Sequence, residues 1–353
     1  MTSIGELRRR TLESITRQSY SIYSREMVLL NDNAGLFGAN PAINETAETF
    51  DFERLWAYPS ENSDNLRAGL ASEYGVSPDE VIIGNGSDEI LDITSKSFLN
   101  PGDVLCSPSP TFGMYKFYAQ LNFGTVSEKL LESDFSMDAD RLLEAQAKIY
   151  AICQPNNPTA NLFDVQLVRR LLSEAEGIVL LDEAYGDFCG SNMLNDAMNS
   201  GKGLDVRTFS KAMGMAGLRV GYAIAPKELI NELRRVRTPF GVNSFSEAVA
   251  VKALDKKDWV RWMVQQVRAG KEYLGPKLTK LGFRVYPSDC NFLLCKSPLP
   301  GPALVGALRS EGVAIRDLNA YPMLENHVRI TMAPRQMLDV LLEKLEHLIG
   351  GNR

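Results

Sequence analysis

The sequence predicts an α/β protein that has a larger domain with a mostly parallel sheet and a smaller α+β domain. From about residue 80, short apolar runs alternate with longer helical stretches. The runs lack polar alternation, which is typical of strands that helices cover on both faces. After about residue 282 the spacing changes, and short strands and helices follow one another in a way that indicates a separate unit.

Five apolar runs are the predicted strands of the larger domain, at 81–83, 104–106, 149–152, 178–181 and 220–224. Helices fit between these runs, for example over 165–176, and a long helical stretch with a polar interruption at 256–258 follows Phe245. The smaller domain is predicted to contain strands at 283–286, 292–294 and 328–331 and helices at 303–308 and 337–348.

A chain of 353 residues is long enough for two domains. Residues 1–30 are predicted to form an N-terminal arm, because Leu7, Leu12 and Ile15 recur at roughly helical spacing. The change of pattern places the larger domain at 31–252 and the smaller C-terminal domain at 253–353.

Composition excludes several classes of function. Lys and Arg number 38 against 44 Asp and Glu, so no basic excess favours a nucleic acid or an anionic membrane as partner. No apolar run reaches the ~18 residues of a membrane span, and the basic first residues lack the apolar stretch of a signal peptide. Five cysteines without a C-x-x-C pair indicate reduced thiols in a cytoplasm. Two histidines exclude a multi-histidine site, so no metal is predicted.

Two loops are candidates for binding a cofactor, because ligands of open α/β sheets bind beyond the carboxyl ends of strands. Residues 84–89, Gly-Asn-Gly-Ser-Asp-Glu, precede a predicted helix whose first N–H groups would hold a phosphate. Residues 154–159 place two asparagines between two prolines, in a rigid loop that presents an amide in a fixed direction. Taken alone, each loop is better explained as an ordinary turn.

Two further loops carry charge. Asp182 closes a buried run, where a carboxylate needs a cationic group or belongs to a structural ion pair. Lys211 lies among small residues, where a desolvated amine becomes nucleophilic, and Ser210 and Arg219 suit a phosphate, although this segment could also be a solvated basic loop. Together the four loops predict a site for pyridoxal phosphate, which needs a Schiff-base lysine, a carboxylate at the ring nitrogen and a phosphate clamp.

Six segments in this order and spacing resemble the fold-type I pyridoxal-phosphate aminotransferases, and within them the histidinol-phosphate aminotransferase group. They are N-G-S-D-E at 85–89, P-T-F-G-M-Y at 110–115, P-N-N-P-T at 155–159, D-E-A-Y at 182–185, T-F-S-K-A at 208–212 and G-L-R at 217–219. The resemblance runs from about residue 29 to the C-terminus. It implies a large sheet of seven strands and ping-pong transamination in histidine biosynthesis, with histidinol phosphate as amino donor and 2-oxoglutarate as acceptor. It also implies a homodimer with shared active sites.

The resemblance also assigns roles around the cofactor. Lys211 would form the Schiff base and carry the proton, and Asp182 would pair with the pyridinium nitrogen. Tyr185 and Asn157 would bond the ring oxygen, and Phe112 would stack on the ring. The phosphate would be held by Gly86, Ser87 and the backbone of Asp88, together with Ser210 and Arg219.

Four more residues are assigned to the substrate and to the second subunit. Arg316 and Arg329 would bind the anionic end of the substrate, and Asn33 would also contact the substrate. Tyr58, in the segment Trp-Ala-Tyr-Pro, would reach the cofactor phosphate of the neighbouring subunit.

Three departures from the family pattern concern the substrate side. The early loop reads L-N-D-N-A-G-L-F-G at 30–38 where the family has L-N-x-N-E-N-P-x-G, Ala160 stands in place of a glycine, and 330–335 reads I-T-M-A-P-R in place of I-G-T-R-E. They leave open a decarboxylase, eliminase or cyclase that acts on an amino acid in a specialised pathway. A non-catalytic binding protein on the same scaffold is a third reading, which the complete set of cofactor residues opposes.

Overall fold

The computed structural model describes residues 9–13, 15 and 26–350. Its strands are β1 (Val28–Leu29), β2 (Val81–Asn85), β3 (Val104–Ser109), β4 (Thr125–Leu130), β5 (Ile149–Cys153), β6 (Ile178–Asp182), β7 (Gly203–Thr208), β8 (Val220–Ile224), β9 (Arg284–Val285), β10 (Phe292–Lys296), β11 (Val313–Ala314), β12 (Arg316–Asp317) and β13 (His327–Thr331).

The α-helices are α1 (Pro41–Ala47), α2 (Asp64–Tyr74), α3 (Ser87–Phe98), α4 (Met114–Leu121), α5 (Ala139–Leu143), α6 (Val165–Glu174), α7 (Leu194–Asn199), α8 (Lys227–Val236), α9 (Ser244–Ala253), α10 (Lys257–Lys280), α11 (Gly301–Ser310) and α12 (Arg335–Gly350). Short 3-10 turns lie at Arg10–Glu13, Phe52–Trp56, Pro78–Glu80, Gly186–Phe188 and Ala216–Leu218. Within the described ranges, no helix is long and apolar enough to cross a membrane.

The large sheet has seven strands in the order β2-β8-β7-β6-β5-β3-β4. Neighbouring strands are parallel, except that β8 runs antiparallel to both β2 and β7. This confirms the mostly parallel seven-stranded sheet. Because six strands run the same way, their carboxyl ends and the start of β8 lie along one edge, which we call the carboxyl edge.

Strand β5 shows why the predicted strands lack polar alternation. Ile149 and Ala151 pack into one apolar cluster, and Tyr150 and Ile152 pack into another. Successive side chains of a strand point to opposite faces, so the two clusters lie on the two sides of the sheet. Both faces are buried, and apolar residues are therefore needed at every position of β5.

The apolar runs do not reveal two strands of the large sheet, because their sequences are partly polar. Strand β4 reads T-V-S-E-K-L and lies at the edge, where it pairs only with β3. Strand β7 reads G-L-D-V-R-T, in which Asp205 and Arg207 alternate with apolar residues. Strand β7 is nevertheless central, and its charged residues bind one another instead of facing water.

The C-terminal part contains a second, antiparallel sheet in the order β12-β13-β10-β9. The strands predicted at 283–286, 292–294 and 328–331 correspond to β9, β10 and β13. Helix α10 packs against β9, β10 and α12. Strand β1 pairs in parallel with β11, which fixes the residues before the early loop to this part of the chain.

The long helical stretch predicted after Phe245 is two helices, α9 and α10, separated at residues 254–256. The polar residues at 256–258 mark the start of α10. Asp258 lies in its first turn, where a negative charge stabilises the helix N-terminus.

Most of the predicted arm over residues 1–30 lies outside the described residues, Leu7 included. The described part contains the 3-10 turn at Arg10–Glu13 and β1. Leu30 is fully buried in the apolar cluster of the C-terminal part, so the end of the arm packs there. The domain division at 252/253 stays a prediction, and it falls at the end of α9.

An ion cluster joins the loops that follow β6 and β7. Arg207 donates to the Glu183 carboxylate and, at 3.0 Å, to Asp205 Oδ2. Both carboxylate side chains are fully buried, and the Arg207 side chain is 11% exposed. Burial raises the pKa of both carboxyl groups, and the Arg207 charge opposes this rise. Glu183 follows Asp182 directly, so the cluster ties that residue to the segment that leads to Lys211.

We expect Arg207→Met to lower the free energy of unfolding by about 3–5 kcal/mol, because it leaves two buried carboxyl groups without a cation. Urea unfolding of the holoenzyme at neutral pH measures this. Arg170→Met is the control, since Arg170 binds Asp140 and Glu174 at the surface, where an ion pair contributes less than about 1 kcal/mol. Equal losses in the two variants would contradict the role of the cluster.

Candidate active site

The carboxyl edge opens into a cavity of about 440 Å³. Loops that follow five of the parallel strands reach it, and the start of β8 closes one side. Most of the residues predicted to bind the cofactor line this cavity, namely Ser87, Asp88, Phe112, Asn157, Asp182, Tyr185, Ser210, Lys211 and Arg219. The structure therefore brings together side chains that the sequence places on five separate loops.

Asp182 ends β6 with its carboxylate buried against α4. Tyr115 donates its hydroxyl to Asp182 Oδ2 at 2.7 Å, and the Ala184 amide donates to Oδ1 at 3.1 Å. Burial raises the pKa of Asp182 to about 6, and these two hydrogen bonds limit the rise. Tyr115 closes the segment P-T-F-G-M-Y at 110–115, but the sequence assigned no role to it.

Lys211 lies in the loop after β7, with its Nζ 5.6 Å from the centre of the Tyr185 ring. Its Nζ donates to the carbonyl oxygen of Asp32 at 3.4 Å. Burial lowers the pKa of Lys211 to about 8, and the Arg329 charge acts in the same direction. About a tenth of the amine is then neutral at pH 7, and only the neutral amine is nucleophilic.

An anion seat lies where α3 begins. Gly86 precedes the helix with φ +79°, and Arg219 Nη2 lies 3.0 Å from Asp88 Oδ2 at the same place. A Cβ atom on residue 86 would lie 2.5 Å from Arg219 Nη2, so the glycine leaves the room that the guanidinium occupies. Ser210 lies beside it and is fixed by a 2.9 Å hydrogen bond from the Thr208 hydroxyl. Free helix N–H groups, a guanidinium and a hydroxyl together fit a phosphate.

Asn157 lines the cavity. Arg329 Nη1 donates to Asn157 Oδ1 at 2.6 Å, and Arg329 Nη2 donates to the carbonyl oxygen of Asn31 at 2.7 Å. Because its oxygen is occupied, Asn157 has its NH₂ group left for a ligand. Asn33 donates to the Tyr185 hydroxyl at 2.9 Å in the same region.

The cavity continues into a space of about 450 Å³ on the substrate side. Arg316 and Arg329 face each other as register partners on β12 and β13, and both line this space. Three polar residues that sequence analysis missed line it as well, namely Asp32, Tyr118 and Tyr321. Asn33 lines it from the early loop.

Tyr58 does not line either part of the cavity within the described chain. Its side chain is 82% exposed and stacks on Phe240 at 4.9 Å between ring centres. Its contact with the cofactor phosphate of another subunit stays a prediction.

Residues 25–345 match the family described as aminotransferase class I and II. The chain belongs to this family. As an aminotransferase of this class it is an enzyme that depends on pyridoxal phosphate, which confirms the cofactor, the enzyme class and the family that the motifs predict.

Relatives of known name align with most of the length of this aminotransferase. A histidinol-phosphate aminotransferase of Thermoanaerobacter sp. (strain X514) is 35% identical over 313 residues, 87% of this chain and 88% of the relative. One of Thermococcus gammatolerans is 38% identical over 296 residues, 83% of each chain. The crystal structure of histidinol-phosphate aminotransferase from Sinorhizobium meliloti in complex with pyridoxal-5'-phosphate superposes with a TM-score of 0.88 at 22% identity, over 98% of both chains. This likeness confirms the fold-type I architecture.

The cavity of this aminotransferase fits its cofactor. The anion seat at α3 suits a phosphate, the buried carboxylate of Asp182 suits a ring nitrogen that carries a proton, and Lys211 would supply the amine. The space that Gly86 leaves beside Arg219 supports this fit, since a side chain there would displace the guanidinium.

We expect Tyr115→Phe to raise the pKa of Asp182 above its value of about 6, by about one unit, because the shorter of its two hydrogen bonds is lost. An Asp whose pKa rises is ionised only at higher pH, so the variant should lose pyridoxal phosphate affinity as the pH falls below about 7. Binding of pyridoxal phosphate to the apoenzyme across the pH range measures this.

Tyr150→Phe is the matched control, because Tyr150 is a buried tyrosine whose hydroxyl accepts from the Ala147 amide, outside the cavity. If Tyr115→Phe and Tyr150→Phe showed the same pH dependence, the hydrogen bond would not govern Asp182.

Proposed function

We propose that this aminotransferase transfers the amino group of histidinol phosphate to 2-oxoglutarate, as a step of histidine biosynthesis. The observation that carries the proposal is the pair Arg316 and Arg329, which places two guanidinium groups on the substrate side of the cavity. A phosphate on the donor and a carboxylate on the acceptor can use the same pair in turn. The names of the relatives support the donor.

The proposed reaction assigns Lys211 to hold and move the proton at the substrate α-carbon. When bound, pyridoxal phosphate supplies a ring that accepts the negative charge formed at that carbon. Asp182, which is mostly ionised above pH 6, would keep the ring nitrogen protonated. Lys211 is suited to take up and return a proton near neutral pH because its pKa is about 8.

Other residues would hold and orient the ligands. Tyr185 and Asn157 would donate to the ring oxygen, and Phe112 would cover the ring. Gly86, Ser87, the backbone of Asp88, Ser210 and Arg219 would surround the phosphate of the cofactor. Arg316, Arg329 and Asn33 would line the part of the cavity that binds the substrate.

We expect histidinol phosphate, added without a keto acid, to bleach the visible band of the holoenzyme, and 2-oxoglutarate to restore it. Histidinol lacks the phosphate, so it should need at least about tenfold higher concentration, since a charge-assisted contact contributes about 1.5–3 kcal/mol. In Lys211→Ala the visible band should neither bleach nor return. Visible absorption spectra measure both changes.

The same experiment separates transamination from decarboxylation, elimination or cyclisation. Those reactions need no acceptor, so they would form product from an amino acid without lasting bleaching. A holoenzyme that keeps its visible band with histidinol phosphate, while another amino acid bleaches it, would overturn the donor and leave the aminotransferase in place.

A homodimer with shared active sites is part of the proposal. Large apolar side chains are exposed over residues 52–58, where Phe52 is 52% exposed, Trp56 85% and Tyr58 82%. Phe240 and Phe245 pack against this segment and extend its aromatic surface. A second copy of the chain would cover these side chains, which monomers rarely expose together, and Tyr58 would reach the partner's cofactor phosphate.

We expect a mixture of Lys211→Ala and Tyr58→Ala chains, each inactive or weak alone, to recover activity after subunit exchange. A hybrid dimer has one site with both changes and one with neither, so activity should approach about a quarter of wild type at equal mixing. Enzyme assays before and after exchange measure this. If a tag on one chain shows that hybrid dimers form and the activity still does not recover, sharing through Tyr58 would be contradicted.

Cytoplasmic location is also proposed. All five cysteines, which are described, are unpaired, and four of them are buried. Unpaired cysteines are typical of proteins from a reducing compartment.

A further inference from the structure

We propose that Asn33 is a positioning residue for transamination: it holds the Tyr185 hydroxyl oxygen as an acceptor, so that the only proton of this hydroxyl points into the cavity toward the ring oxygen of the cofactor. The inference rests on the proposed placement of that oxygen against Tyr185. It changes the role of Asn33 from a direct substrate contact to the orientation of another side chain.

The orientation of the Asn33 amide follows from its hydrogen bonds. The Asn33 backbone N–H donates to Thr331 Oγ1 at 3.0 Å, and Thr331 Oγ1 lies 3.2 Å from Asn33 Oδ1. The threonine hydroxyl accepts one hydrogen bond and so gives its proton to the amide oxygen. The amide nitrogen is therefore the end that faces the Tyr185 hydroxyl, 2.9 Å away.

A tyrosine hydroxyl has one proton, and the Asn33 amide can only donate to its oxygen. The proton of Tyr185 therefore remains for another acceptor, and Tyr185 lines the cavity. Burial raises the pKa of Tyr185, so the hydroxyl keeps this proton at neutral pH. Asn157 is arranged in a similar way, because Arg329 occupies its oxygen and leaves its NH₂ group free.

The three side chains form a rigid set. Asn33 and Thr331 are 1% exposed and Tyr185 is 4% exposed, so water does not compete for these hydrogen bonds. Asn33 has φ +56°, a left-handed conformation that asparagine tolerates better than most residues. Its carbonyl oxygen accepts from Asn291 Nδ2 at 3.1 Å, which fixes the backbone at this point.

Asn33 also connects the early loop to the cofactor. Thr331 lies two residues after Arg329 on β13, so the contacts of Asn33 join the proposed substrate arginine to the Tyr185 hydroxyl. Aspartate at position 33 has nearly the same size, but an ionised carboxylate can only accept. It would accept a hydrogen bond from the Tyr185 hydroxyl, which reverses the direction of the hydrogen bond between the two side chains.

The test is a pH titration of the visible band of the holoenzyme without any amino donor. A donor to the ring oxygen stabilises its negative charge and lowers the pH at which the band changes. We expect Asn33→Asp to raise this apparent pKa by about one unit, in the same direction as Tyr185→Phe. In the Tyr185→Phe background, Asn33→Asp should add little, because both changes remove the same donor.

Asn31→Asp is the matched control, since it makes the same chemical change two residues earlier, where the amide donates to Asp32 and does not contact Tyr185. It reports the effect of an acidic group in the same loop, next to the Asp32 carboxylate, without a change at the Tyr185 hydroxyl. Asn33→Gly removes the amide without adding charge, suits the positive φ, and should raise the apparent pKa in a smaller step.

Two results would overturn the proposal: an Asn33→Asp shift equal to that of Asn31→Asp, or shifts of Asn33→Asp and Tyr185→Phe that add in full. If Asn33→Asp fails to fold, Asn33→Gly with an unchanged titration would overturn it as well. The titration contains no donor, so its outcome is independent of whether histidinol phosphate is the substrate. Failure of that proposed substrate appears only in the bleaching experiment.

Discussion

Burial at the carboxyl edge of the large sheet changes the acidity of Asp182 and Lys211 in opposite directions. Removal from water disfavours the charged form of each group, so the pKa of the carboxyl group rises to about 6 and that of the amine falls to about 8. The two values then lie on either side of neutral pH. A carboxylate that stays mostly ionised and an amine that is partly neutral coexist in one cavity, and the proposed chemistry needs both.

Neighbouring groups decide what the residues facing the cofactor can offer. Tyr115 and the Ala184 amide keep Asp182 from becoming still less acidic. Arg329 occupies the oxygen of Asn157, and its charge also lowers the pKa of Lys211. In each case, one hydrogen bond or one charge from a neighbouring residue fixes the protonation or the direction of a group that faces the cofactor.

Two of the three departures of this chain from the family pattern have local structural explanations. A Cβ atom on Gly35 would lie 2.9 Å from Gly214 Cα, so the early loop packs closely on the loop that carries Lys211. Ala160 keeps a left-handed backbone with φ +69°, and its methyl group is buried in the C-terminal apolar cluster. Both changes leave the anion seat and the Asp182 carboxylate intact.

The sequence by itself determined the class of fold, the family and most of the residues that line the cavity. Apolar runs mark strands buried on both faces, and the motifs stand at their carboxyl ends, so their meeting at one edge follows from parallel pairing. Strands β4 and β7 escaped this reasoning, because an edge strand tolerates polar residues and Asp205 and Arg207 neutralise each other. Only the tertiary structure decided which groups stand behind the site. Tyr115, Thr331 and the orientation of the Asn33 amide depend on contacts between distant segments, and hydrogen-bond direction is a property of the assembled network that no local pattern encodes.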